Sequence, residues 1–147
     1  MTSVDFYQLS RDPVERVIAE LGRTAMGRGL RLLVVSGDAQ QREVISQALW
    51  AENGPAFLAH GEATAPHAAR QPILLSESCD AVNEARMAIV ADGVWREDLS
   101  SMDGVKLLFG PEQTQPAREL WTALGARENF ALRIFKQRED GAWREGR

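Results

Sequence analysis

The chain has 147 residues, a formal charge of −4 and a single cysteine, Cys79. That length suits one core, which needs no disulfide or metal staple. The acidic balance makes the chain a poor candidate for gripping nucleic acid along its backbone by itself, and one cysteine with two histidines excludes an internal disulfide, a thiolate cluster and a three-histidine metal site.

In chain order, Val4 to Leu9 reads as a strand that ends at Ser10-Arg11-Asp12-Pro13. Asp12 followed by Pro13 predicts a helix start, with Asp12 as the capping residue. Val14, Val17, Ile18, Leu21 and Ala25 then recur at helical spacing until Gly27 and Gly29. Leu30 to Val35 is a continuous aliphatic run, the mark of a strand covered on both faces. A second helix is expected over Ala39 to Trp50, with Val44, Ile45, Ala48 and Leu49 inward. A short strand at 56–58 and a long loop follow. Pro72 to Leu75, Met87 to Ala91, Val105 to Phe109 and Phe130 to Phe135 read as strands. A short helix is expected over Glu97 to Met102, and a third long helix near Glu112 carries Leu120, Trp121 and Leu124 on one side. Ala142-Trp143 suggests a last strand before a fraying tail, Arg144 to Arg147.

This order predicts a three-layer, Rossmann-like α/β sandwich with a mixed, mainly parallel sheet, antiparallel additions being allowed among the later strands. One domain over residues 1–147 is expected. No opening segment reads as a secretory signal and no run approaches a membrane span, so a cytoplasmic location is expected.

Enzyme motifs are missing. The strand at 30–35 is followed by Ser36-Gly37-Asp38-Ala39-Gln40-Gln41, with one glycine where a dinucleotide loop has three, and no P-loop occurs. Nothing in the sequence around Cys79 lowers a thiol pKa. His60 and His67 lie seven apart in an expected loop, poor spacing for a shared metal. The sequence thus shows no catalytic residue, no cofactor and no metal site. A small Rossmann-like enzyme or nucleotide-binding protein with an unrecognised site remains the alternative.

Two groups of residues point to partners. Trp50 and Phe57 flank an irregular stretch and suit either an exposed apolar patch or the edge of the core. Arg118 and Trp121 lie three apart on one helical face, where a guanidinium can hold a carboxylate while the indole shelters an apolar side chain. Residues 117–147 hold seven basic and five acidic side chains, against ten and sixteen over residues 1–116, so positive charge gathers at the C-terminal end.

Asp5-Phe6-Tyr7-Gln8-Leu9, Ala48-Leu49-Trp50, Phe57-Leu58-Ala59-His60-Gly61, Arg70-Gln71-Pro72 and Ala117-Arg118-Glu119-Leu120-Trp121 together resemble the chi subunit family of bacterial DNA polymerase III, over nearly the whole chain. The resemblance implies a non-enzymatic, Rossmann-like accessory subunit of the clamp-loader assembly that binds no nucleotide. It implies that Arg118 and Trp121 take the acidic C-terminal tail of the single-stranded-DNA-binding protein, Arg118 holding the terminal carboxylate and Trp121 walling an apolar pocket. Trp50, Phe57 and His60 would face the psi subunit or a substitute such as a repair helicase. Single-stranded DNA would be reached only through the partner, with no membrane involved. Thr114 stands where the family has a basic residue one turn before its Arg, Arg127-Glu128-Asn129 replaces a small glycine, and Arg127, Arg133 and Lys136 are the candidates for the missing charge.

Overall fold

The computed structural model describes residues 1–51 and 58–146. Its centre is an eight-stranded sheet: β1 (Thr2–Gln8), β2 (Leu32–Val35), β3 (His60–Glu62), β4 (Ile73–Ser76), β5 (Met87–Val90), β6 (Gly104–Phe109), β7 (Phe130–Gln137) and β8 (Trp143–Glu145). The spatial order is β3-β4-β2-β5-β6-β1-β7-β8. All pairings are parallel except the last, where β8 returns antiparallel on β7. Among the described residues three α-helices flank the sheet: α1 (Val14–Gly27), α2 (Ala39–Trp50) and α3 (Thr114–Gly125).

Strand alternation explains the layers. Leu32, Val34, Ile73, Leu75 and Ile89 face the side where Val17 and Ile18 of α1 and Ile45 and Leu49 of α2 pack. Leu33, Val35, Leu74, Ala88 and Val90 face the other side, with Leu99, Ala117 and Leu124. Every side chain of β2 is buried, as a doubly covered strand requires. At Gly29, φ is +70°, a left-handed conformation that suits the chain reversal after α1.

The structure departs from the sequence reading at several points. The sheet is mainly parallel as expected, with β8 its antiparallel addition, but the segment expected as a short helix over Glu97 to Met102 is a 3₁₀ turn, Glu97–Ser101. Asp12 does not cap α1. Pro13 holds the cap position without a side-chain bond, and the Asp12 carboxylate accepts from Gln137 Nε2 at 2.8 Å. Gln137 is buried, and its Oε1 accepts from the amides of Ser10, Arg11 and Asp12. This long-range tie claims the carboxylate that the local motif would have used. Val44 is 43% exposed rather than inward. The short strand lies at His60–Glu62, inside the expected loop, while residues 56 and 57 of the expected strand lie outside the described residues. The tail is ordered through Gly146, whose N–H donates to the Ile134 carbonyl at 2.8 Å. Among the described residues no helix is long and apolar enough to cross a membrane.

Candidate functional site: a basic cleft beside α3

Parallel α/β sheets usually take ligands at the carboxyl ends of their strands, beside a helix N-terminus. Here that position, after β2 and β5, is filled by the chain's own side chains. Asp38 Oδ1 accepts from the amides of Gln40 and Gln41 at 2.9 and 3.3 Å and caps α2. The Gly37 amide donates to Asp92 Oδ2 at 3.0 Å. Asp92 also receives two bonds from Arg96, at 2.9 and 2.7 Å. Burial disfavours the Asp92 charge, but Arg96 and the amides of Gly37 and Val94 outweigh it and hold the carboxyl below its ordinary pKa. Arg42 donates to the Ser36 carbonyl at 2.7 Å. The amides a phosphate would use already hold carboxylates.

A second opening at the same edge of the sheet differs. It is a cleft of about 450 Å³ between α3 and the ends of β1, β6 and β7. Ala117 and Leu124 anchor α3 in the core, with Leu120 and Trp121 packed beside them, a 117/121/124 stripe at helical spacing. Trp121 meets Phe6 edge-on, with ring centroids 5.2 Å apart, and Phe6 meets Phe109 in the same manner at 6.5 Å. These rings and Ile134 form the apolar part of the cleft; Gln8, Thr114, Arg118, Thr122 and Lys136 form its polar part. Among the described residues no carboxylate lies within ion-pairing distance of Arg118 or Lys136. The cleft therefore offers an aromatic-lined hollow and two cations without an ion-pair partner among the described residues, a setting for an anion joined to an apolar group.

The structure separates the three candidate second cations. Lys136 lines the cleft with Arg118. Arg133 points from the opposite face of β7 and binds both oxygens of the buried Asp5, at 2.9 and 3.0 Å, beside Lys106 at 3.2 Å. Arg127 is held by Glu97 and lies over the Phe130 ring, 4.7 Å from its centroid. Alternation carries the signal that separates them. Phe130, Leu132 and Ile134 take the α3 side, Lys136 continues that row, and Arg133 is out of phase with it. Thr114, in place of a cation, lines the cleft and donates to the Pro111 carbonyl at 2.8 Å.

Trp50 and His60 lie near the opposite edge of the sheet, roughly 30 Å from β7 at ordinary strand spacing. Trp50 is 54% exposed, and its ring lies 4.8 Å from that of His60. His60 itself is buried. Its Nε2 lies 2.8 Å from Ser46 Oγ, and its Nδ1 lies 2.9 Å from the Leu58 carbonyl. The carbonyl can only accept, so Nδ1 carries the proton and Nε2 accepts from the serine in the neutral ring. His60 thus backs Trp50 from below. Phe57 lies outside the described residues. Burial pushes the Cys79 thiol pKa up, against the pull of Arg96, which is the reverse of what a nucleophilic thiolate needs. Among the described residues no three His, Cys, Asp or Glu side chains are grouped to hold a metal ion.

Fold and site together define a Rossmann-like α/β protein with a filled phosphate position and an aromatic cleft edged by Arg118 and Lys136. Residues 1–131 match the family model of the DNA polymerase III chi subunit, HolC, and the chain belongs to that family. Its coarse role follows: an accessory subunit of DNA polymerase III, acting in DNA replication. No curated protein matches the chain.

Proposed function

We propose that this protein is a non-catalytic bridge, whose cleft beside α3 binds the acidic C-terminal tail of the single-stranded-DNA-binding protein. The observation that carries this reading is the cleft itself, where Phe6, Phe109 and Trp121 adjoin Arg118 and Lys136, two cations with no carboxylate at ion-pairing distance among the described residues. An apolar C-terminal residue enters between the rings, and its terminal carboxylate meets Arg118. Contact with single-stranded DNA is then indirect, consistent with a chain of net charge −4.

The opposite edge carries the second connection, to psi or a substitute such as a helicase, through Trp50 braced by His60, with Phe57 beside them in sequence. Separation of the two groups across the sheet lets both partners be held together. Few contacts and the ordering of a flexible tail favour a dissociation constant on the order of micromolar, weakening with salt. That strength suits a link that is made and released repeatedly.

A labelled peptide ending in Asp-Phe tests the reading by fluorescence anisotropy. The wild-type protein is expected to bind it, and to lose most of that binding when the terminal Phe is removed or the terminal carboxylate is amidated. Absence of binding at ~100 μM peptide, well above a micromolar constant, contradicts the assignment.

A further inference from the structure

Beyond the cleft, the α3 side of the sheet continues onto β8, and this extension lies outside the matched residues 1–131. Lys136 pairs with Arg144 across the β7–β8 ladder, so their side chains are neighbours on one face, with Cβ atoms about 5 Å apart. Lys136 closes the cleft and also opens a second hollow of about 600 Å³, lined further by Gln137, Arg138, Arg144, Glu145 and Gly146. Glu145, at the rim of this hollow, pairs with Phe135 in the ladder, and Arg133 on the opposite face feels its charge. Asp140 in the turn accepts from the Ala142 amide at 2.9 Å. Among the described residues no carboxylate lies within ion-pairing distance of Lys136, Arg138 or Arg144. Gly146 keeps the passage between the two hollows low: a Cβ there would stand 3.3 Å from Ile134 Cγ2 and 3.5 Å from Lys136 Cε.

We propose that the β7–β8 hairpin is a second subsite, in which Lys136, Arg138 and Arg144 hold the acidic residues that precede the C-terminal aromatic of a bound tail. This rests on the reading of the cleft as a tail site. Its occupant is an extended, aspartate-rich peptide segment, chosen by charge complementarity and by continuity with the cleft. The geometry sets the register. From β1 to β8 is two strand spacings, roughly 10 Å, which an extended peptide covers in about three residues. Acidic side chains about three to five residues before the terminus therefore reach the hairpin, while the last two residues occupy the cleft. The hairpin adds affinity and salt sensitivity, and the cleft sets the requirement for a terminal aromatic.

Two labelled peptides distinguish these roles, both ending in Asp-Phe, one with aspartates and one with asparagines at the third to sixth positions from the end. The full chain and an Arg138→Gln/Arg144→Gln variant are titrated with each at low and moderate salt. The variant is expected to bind the aspartate peptide roughly three- to tenfold more weakly, as loss of two exposed charge contacts would give, with a shallower salt dependence. Its affinity for the asparagine peptide is expected to stay within twofold of wild type. Equal affinities of variant and wild type for the aspartate peptide, or equal losses with both peptides, overturn the hairpin subsite while leaving the cleft intact. Failure of the wild type to bind either peptide overturns the cleft reading itself, and the subsite with it. Arg144→Lys, which keeps the charge, is expected to retain wild-type binding; a loss there equal to that of Arg144→Gln overturns the electrostatic account.

Discussion

Two openings at the carboxyl edge of the same sheet have opposite electrostatics. Beside β2 and β5, every charge named has an internal partner: Asp38 the first turn of α2, Asp92 both Arg96 and the Gly37 amide, and Arg42 the Ser36 carbonyl and, at 3.4 Å, Glu62. Beside β1, β6 and β7, Arg118 and Lys136 stand next to three aromatic rings with no ion-pair partner among the described residues. A shared fold therefore does not locate the site. The usual ligand position of this architecture is taken by the chain's own side chains, and the proposed binding site lies where charge has no ion-pair partner among the described residues.

That contrast can be broken from either side, and the largest effect is expected at the filled crevice. Asp92→Ala strips Arg96 of its carboxylate and leaves the Gly37 and Val94 amides without their acceptor. Loss of a partly buried pair of this kind is expected to cost about 2–3 kcal/mol in urea unfolding, below the range for full burial, with peptide affinity unchanged. At the cleft, Arg118→Ala is expected to weaken tail-peptide binding by about 1.5–3 kcal/mol, roughly ten- to a hundredfold. Its melting temperature should stay within about 2 °C of wild type, since Arg118 is an exposed side chain. A large stability loss in that variant would make Arg118 structural and erase the contrast.

A smaller effect follows from acid. The Asp92 carboxyl is held below its ordinary pKa in the folded protein. Its contribution is therefore complete at neutral pH and is lost as pH falls through the carboxylate range, below about 4. Asp92→Asn is expected to lie below wild type in stability at pH 7, with the gap closing as the pH is lowered. A gap constant with pH would mean that the charge is not what holds the crevice. The smallest effect on tail binding is expected from the far edge. Trp50→Ala with Phe57→Ala should leave tail-peptide affinity within twofold while abolishing capture of psi or its substitute. Loss of both partners together would remove the separation of the two faces.

Much of this was legible in residue patterns. Leu32–Val35 is buried on both faces, as its unbroken aliphatic run requires, and Arg118 and Trp121 meet at one cleft, as their three-residue spacing places them. The mainly parallel sheet was legible, but which later strand adds antiparallel was not, because β3 to β6 are joined by 3₁₀ turns and extended loops that leave no helical periodicity. Asp12 looked like a helix cap because local motifs carry no trace of Gln137, 125 residues away, which engages it instead. The second cation of the cleft needed two facts at once: the period of β7, which is visible in Phe130, Leu132 and Ile134, and the position of β7 beside β1, which only the strand order supplies. Exposure of Val44 shows the same limit, since helical spacing gives a face but not what covers it.

The central claim is that the tail occupies the cleft beside α3 and not the crevice at α2. Amide chemical-shift mapping of the labelled protein during titration with the Asp-Phe peptide tests it most directly. The account predicts saturable shifts clustered on residues 114–122 and 130–138, with residues 36–42 and 91–96 unmoved. Shifts centred on Gly37, Asp38 and Asp92, with Arg118 and Trp121 silent, would contradict it.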